Sequence, residues 1–364
     1  MANNSSEGPI VDLRSDTFTK PTPQMRRAMA EAEVGDDVYG EDPTINRLQE
    51  RAAEIFRREA ALFVPSGSMG NLLAIRTHAR PTNEVICEAL SHVNLYEMGS
   101  LSTIAGCFPR TARAPRGILT WEIIEPLIRE KIYYDSQTAL ICLENTHNMH
   151  GGVVYPQEIA DDVCDKAHAA GLKVHLDGAR IFNASVAAGR SVADMTRKFD
   201  SVMFCLSKGL GAPVGSMLVG SRDFIAEARI GRKLLGGGMR QAGVLAAAGL
   251  VALQETPKIL HVDHENARRL AEGIAQIKGV SLDPRNVMTN ILIFDVKALG
   301  LTAEQVCAAL ERRGVLCQTG AEKYDVRMVT HYDVDRTGID RALVVTSEVL
   351  GAAAPRSAAV QHIS

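Results

Sequence analysis

Residues 207–216 read SKGLGAPVGS, a single lysine among small, turn-forming and hydroxyl residues. Lys208 is either a phosphate clamp or a covalent amine, and the flanking glycines suit both. Two further stretches bear on the choice. In HLDGAR (175–180) Asp177 ends an apolar run, a costly place for an uncompensated carboxylate. Its cationic partner is either Arg180, as an ordinary ion pair, or a positively charged ring nitrogen from outside the chain. In PSGSMGN (65–71) Gly67 and Ser68 stand where an apolar run turns into a helical pattern, so free backbone N–H groups and the helix dipole face an anion. The stretch is not a phosphate loop of the GKS/T kind. A plain N-cap by Ser66 or Ser68 is the competing reading.

These residues need elements to position them. AALFV (60–64), EVICE (84–88), TALICLEN (138–145), KVHLD (173–177), SVMFCLS (201–207) and GSMLVG (215–220) are short, apolar and partly β-branched, as buried strands are. Helical patterns lie between them at 68–79, 120–131 and 156–171, the last ending on Gly171. Such alternation predicts an α/β fold with a mostly parallel sheet covered on both faces. Ligands of such sheets bind outside the carboxyl ends of the strands. Asp177 and Lys208 follow consecutive strands, so parallel pairing brings them together above one edge. A carboxylate, a lysine and a phosphate-accepting turn in that order are the parts that pyridoxal phosphate requires, which favours Lys208 as a covalent amine.

Near Pro257 the pattern changes. Two helical stretches, 240–256 and 257–278, meet there, and a strand (289–296), a helix (302–314), a strand (326–331) and a helix (339–351) follow. The expected organisation is an N-terminal segment over 1–20 that contributes to the active site, a large cofactor-binding domain over 21–256, a small α+β domain over 257–351 and a tail over 352–364.

The net charge of −3 argues against phosphate-driven nucleic-acid binding. The longest apolar runs are too short to span a bilayer. The N-terminus lacks the basic and apolar regions of a secretory leader, so a cytoplasmic location is expected. Seven cysteines without CxxC spacing fit neither a disulfide framework nor a zinc site, and no metal is expected.

The motifs VDLRSDTFTKPT (11–22), GDDVYGEDPT (35–44), PSGSMGN, SHVNLYE (91–97), LENTHNMHGG (143–152), HLDGARIFNA (175–184), SKGLGAPVGS, GGGMRQAG (236–243) and VRMVTHYDV (326–334) together resemble the low-specificity L-threonine aldolases. These are fold-type I pyridoxal-phosphate enzymes of the aspartate-aminotransferase superfamily, with a seven-stranded sheet in the large domain. The resemblance implies retro-aldol cleavage of L-threonine, L-allo-threonine and other β-hydroxy-α-amino acids to glycine and an aldehyde. It implies Lys208 as the Schiff-base lysine, Asp177 on the pyridine nitrogen, Gly67 and Ser68 at the phosphate, and Arg240 adding to phosphate binding, from a neighbouring subunit in some members. It gives Ser15, Arg180 and Arg327 to the substrate carboxylate, His92 to stacking on the ring, His147 to the side of the substrate hydroxyl, and Glu97 to organising that side. Either histidine could be the base, and His147 is favoured.

The phosphate turn departs from the family's usual GTM, with Ser68 in place of threonine. His150, His175, His331, Glu144, Asp36 and Asp37 are expected to be supporting or structural. A homodimer or homotetramer with sites at subunit interfaces is implied, acting on small amino acids. An aminotransferase, a β-eliminating lyase and a non-catalytic binding protein are the competing functions.

Overall fold

A computed structural model describes residues 9–353, in two compact units, Asp16–Val262 and a smaller one from residues up to Ser15 and from Asp263 onward. Along the chain the strands are β1 (Val11–Asp12), β2 (Ala60–Val64), β3 (Glu84–Glu88), β4 (Phe108–Ala112), β5 (Thr138–Glu144), β6 (Lys173–Asp177), β7 (Ser201–Cys205), β8 (Ser216–Gly220), β9 (Ile291–Asp295), β10 (Val315–Leu316), β11 (Gln318–Thr319) and β12 (Asp325–Val329).

The larger unit carries the expected sheet, seven strands in the order β2-β8-β7-β6-β5-β3-β4. β4, β3, β5, β6 and β7 run parallel, and β8 is antiparallel to both its neighbours. β3, β7 and β8 are buried along their whole length, because helices cover both faces, and this is why they appear as apolar runs rather than alternations. Register matters more than count. Glu144 pairs with Asp177 across β5 and β6, and Asp177 with Met203 across β6 and β7. Cys87 on β3 pairs with Cys142 on β5. The carboxyl ends that carry Glu88, Glu144, Asp177 and, just past β7, Lys208 therefore lie side by side on one edge.

One strand goes unread in the sequence, and one expected helix is shorter than expected. β4 has no apolar run: it is an edge strand, partly exposed, and tolerates Pro109 where a central strand would not. The helix expected over 120–131 is one α-turn, Trp121–Ile124, followed by a 3₁₀ turn, Glu125–Leu127. Pro126 lacks the N–H that a continuing helix needs.

The smaller unit holds an antiparallel sheet, β11-β12-β9, and a parallel pair, β1 with β10. The helices Ala303–Glu311, opened by a Thr302/Gln305 capping box, and Arg336–Ala353 pack on it. Leu270, Ile274, Leu292, Phe294, Val326 and Met328 lie in its core. The expected boundary at Pro257 falls instead on a 3₁₀ turn, Thr256–Lys258, that leads into the helix Leu260–Ile274; the units divide within that helix, after Val262. In the N-terminal segment β1 belongs to the smaller unit, and the chain passes to the larger one at Asp16. Of the tail expected over 352–364, residues 354–364 lie outside the described residues, as do residues 1–8. All seven cysteines are free, and six of them are buried.

Candidate active site

The turn after β7 presents Lys208 half-buried, with no hydrogen bond or ion pair to its ammonium among the described residues. Gly209 is required there: a Cβ would come within 2.8 Å of Asn183 Oδ1. Gly211, at φ +77°, takes a left-handed conformation that suits glycine.

Asp177 is 2 % exposed. Its carboxylate accepts from Asn71 Nδ2 at 2.8 Å and from the Ala179 N–H at 3.0 Å. Arg180 is not its partner. That guanidinium grips Asp16 instead, Nε and Nη2 each 2.7 Å from a carboxylate oxygen, with Nη1 3.3 Å from Asn148 Oδ1. The ordinary ion pair that could have explained Asp177 is thus absent.

Asn71 is a residue that the sequence motifs did not single out. Fully buried on the helix Gly67–His78, it donates from one nitrogen to Asp177 and, at 2.7 Å, to Glu97 Oε1, while its Oδ1 receives His175 Nε2 at 3.1 Å. Ser201 Oγ lies 2.8 Å from both His175 Nδ1 and His78 Nε2. Burial holds His175 at about 3 and His78 at about 4, so both rings are neutral at physiological pH. His175 then donates to Asn71, which fixes the direction of the chain. The asparagine was visible as the last residue of PSGSMGN, but nothing local showed that its amide would face two carboxylates.

Glu97 Oε1 also meets His92 Nδ1 at 2.8 Å, and the His92 N–H donates to Glu144 Oε2 at 2.8 Å. Burial and the neighbouring Asp177 charge push Glu97 up. Burial opposes charging of His92, but Glu97 and Asp177 outweigh it and hold the ring above its ordinary value.

His147 is fully buried at the start of the turn Asn148–His150. Its Nε2 lies 3.2 Å from Glu88 Oε2 and its Nδ1 3.9 Å from Glu144 Oε1. Burial works against its protonation, yet Glu144 and Glu88 raise it above the usual histidine value. Glu88 is itself held far below the carboxylate range: burial opposes this, but His147, His150 and the Leu90 N–H overcome it.

At the head of the Gly67–His78 helix, Ser66 Oγ caps the Met69 N–H at 3.2 Å, as the plain-cap reading expects. The N–H groups of Gly67 and Ser68 make no hydrogen bond among the described residues, so the turn can also receive an anion. A Cβ on Gly67 would lie 3.0 Å from Cys205 Sγ on β7.

The remaining expected residues have the following surroundings. Arg240 is exposed and pairs with Asp36 at 2.8 Å. Asp37 pairs with the buried Arg232 at 2.6 Å. Ser15 and Arg327 belong to the smaller unit, where both are buried; Arg327 Nη1 donates to the Arg14 carbonyl at 3.1 Å. His331 Nε2 meets the Asp12 carbonyl in the same unit at 2.8 Å.

The sequence profile of the beta-eliminating lyase family matches residues 12–298. The chain belongs to that family. This lyase is 48% identical to low-specificity L-threonine aldolase 1 of Arabidopsis thaliana, over 92% of its own length and 94% of the relative's. It is 42% identical to the low specificity L-threonine aldolase of Escherichia coli K12, over 90% and 95%. Among solved structures, the threonine aldolase of Leishmania major superposes with a TM-score of 0.79 at 21% identity, over 93% of this chain and 99% of that one. The lyase therefore has the fold-type I architecture that its sequence motifs imply.

The cluster fits the cofactor of that fold. Asp177 is a buried carboxylate that pairs with no lysine or arginine among the described residues, as a protonated ring nitrogen requires. Lys208 is a free amine at the adjacent strand end, and the Gly67–Ser68 turn offers unpaired N–H groups.

Proposed function

We propose that this lyase is a low-specificity L-threonine aldolase, which cleaves L-threonine, L-allo-threonine and related β-hydroxy-α-amino acids to glycine and an aldehyde with pyridoxal phosphate. The observation that carries the proposal is the edge shared by β6 and β7, where, among the described residues, no lysine or arginine pairs with Asp177 and the Lys208 ammonium makes no hydrogen bond or ion pair. Relatives under the threonine aldolase name cover nearly the whole chain.

Lys208 would hold the cofactor through its amine as a Schiff base, Gly67 and Ser68 its phosphate, and Asp177 its ring nitrogen, with His92 against the ring. When bound, the group supplies an electron sink for the pair left on Cα as the Cα–Cβ bond breaks. Asp177, fixed by Asn71 and the Ala179 N–H, keeps a proton on that ring nitrogen. Ser15, Arg180 and Arg327 bind the substrate carboxylate and so set which Cα bond faces the ring. Arg180 keeps two nitrogens on Asp16, so its Nη1 and the second arginine carry that contact. His147 takes the hydroxyl proton at a ring nitrogen, which the carboxylates of Glu144 and Glu88 make more basic. Glu97 and Glu144 steady His92 from two sides.

The exposed Arg240 suits a contact with the cofactor phosphate of a neighbouring copy, as a homodimer or homotetramer provides. The seven free thiols fit a reducing cytoplasm.

The test is an assay of the purified holoenzyme on L-threonine, L-allo-threonine and L-phenylserine without a keto acid. Glycine and aldehyde should appear in equal amounts. Release of ammonia and a keto acid instead would assign the chain to β-elimination, and dependence on an added keto acid would make it an aminotransferase.

A further inference from the structure

His147 and His150 stand three residues apart in LENTHNMHGG, but Glu88, at the end of EVICE, lies far from them in the sequence, and no spacing joins it to them. The fold does. Glu88 closes β3, and the two histidines flank the turn that follows β5, the strand paired with β3. Glu88 Oε2 lies 3.2 Å from His147 Nε2 and 3.8 Å from His150 Nε2, and the three donor atoms lie within 4.8 Å of one another. The imidazole rings meet edge to face with centroids 4.6 Å apart. Gly117, at φ +75°, closes one wall: a Cβ there would lie 2.5 Å from Cδ2 of both rings.

Two properties set this cluster apart from an ordinary buried ion pair. Neither ring nitrogen of His147 has a well-aligned hydrogen-bond partner among the described residues, although the side chain is fully buried, and neither has His150 Nε2. Buried polar atoms are paired in all but a few cases, and a bound ion is one cause of the exceptions. The second property is charge. With both imidazoles neutral, Glu88 and Glu144 leave the cluster two units negative, and Glu144 Oε1 faces His147 Nδ1 at 3.9 Å. At that distance Glu144 makes no hydrogen bond to the ring, but its charge adds to the attraction for a cation.

We propose that Glu88, His147 and His150 form a binding site for a zinc-class divalent cation, and that the bound cation inhibits the cleavage reaction. Two imidazoles with one carboxylate are a zinc ligand set, whereas calcium and magnesium take oxygen ligands. A tetrahedral ion with bonds of about 2.1 Å holds its ligands about 3.4 Å apart. The 3.2 and 3.8 Å separations here lie on either side of that spacing, so rotation of His150 completes the site. His150 is partly exposed, which gives the ion a way in, and a fourth position remains for water. The ion takes the lone pair of His147 that the proposed reaction needs. Inhibition therefore rests on the proposed role of His147, while binding does not.

The test uses chelator-treated holoenzyme, titrated with ZnCl₂ in a calorimeter and with CoCl₂ by visible absorption beyond the cofactor bands. Wild type should bind one equivalent per chain. His150→Phe, which keeps the ring volume and removes the nitrogen, should bind at least about ten-fold more weakly, as should His150→Ala. Both variants should keep the metal-free rate of threonine cleavage within about two-fold. Zinc should slow wild-type cleavage at least about ten-fold, reversibly with EDTA, and should spare both variants at the same concentration. Equal zinc affinity in wild type and both variants, or no stoichiometric binding to wild type, overturns the site. Stoichiometric binding that is lost in the variants but leaves wild-type cleavage at full rate overturns the inhibition, and with it the role given to His147.

Discussion

Replacing Asn71 by leucine keeps the branched outline of the side chain, at a larger volume, and removes an amide that three buried groups share. Glu97 loses a donor at 2.7 Å, Asp177 a donor at 2.8 Å and His175 Nε2 an acceptor at 3.1 Å. The two carboxylates retain His92 and the Ala179 N–H, so each loses one charge-assisted bond rather than its last partner. The His175 N–H, fully buried and neutral, is left with nothing to donate to. A buried group left unsatisfied costs about 1–3 kcal/mol, and a bond to a charged group contributes about 1.5–3. Allowing for relaxation, the loss should be about 4 kcal/mol, a large share of the roughly 5–15 kcal/mol that holds a domain folded. Urea unfolding of the purified variant should show this as a lower midpoint at unchanged slope, and thermal unfolding as a fall of roughly 8–16 °C. Dialysis should also strip the cofactor from the variant faster, because Asp177 loses one of the two bonds that orient it. A loss below about 1 kcal/mol with normal cofactor retention would refute the view that this amide organises the site.

His147→Asn should slow L-threonine cleavage by on the order of 10² to 10⁴ while sparing exchange of a glycine α-proton in deuterated water, since exchange involves no hydroxyl; equal losses in both rates would remove His147 from the role of base. The acidic limb of kcat/KM should lie above the ordinary histidine value of about 6.5, because the base works unprotonated and its carboxylate neighbours raise it, so activity falls as pH drops through that raised value. Glu88→Gln should move the limb to lower pH, and an unmoved limb would show that another group titrates. Arg327→Lys should raise KM and lower kcat together, since the point charge survives but the fork geometry does not; substrate amides reacting as well as free amino acids would mean that no carboxylate clamp exists.

The sheet was legible because its central strands are buried on both faces and appear as unbroken apolar runs. β4 was not, because an edge strand with exposed Phe108 and Arg110 at its middle has no such pattern. Lys208 and Asp177 were legible as a pair because they follow consecutive parallel strands, so topology alone makes them neighbours. The partners of the site were much harder to see. Asp16 lies 164 positions from Arg180, and Asn71 106 positions from Asp177, so no local spacing ties them. The sequence left Asp177 with two candidate partners, and only the Asp16 contact removes Arg180 from the choice. Glu88 did not stand out because a glutamate at the end of EVICE resembles any strand-end charge. Its meaning comes from the turn after β5, which sets His147 3.2 Å away.

The central claim is that the free amine at the end of β7 carries the cofactor covalently, opposite Asp177. It is tested most directly by reducing the purified holoenzyme with borohydride, digesting it and mapping the pyridoxyl label by mass spectrometry. The label should fall on Lys208 alone, and Lys208→Ala should take up none and cleave no threonine while keeping its fold. A label on any other lysine, or full turnover in Lys208→Ala, would contradict the claim.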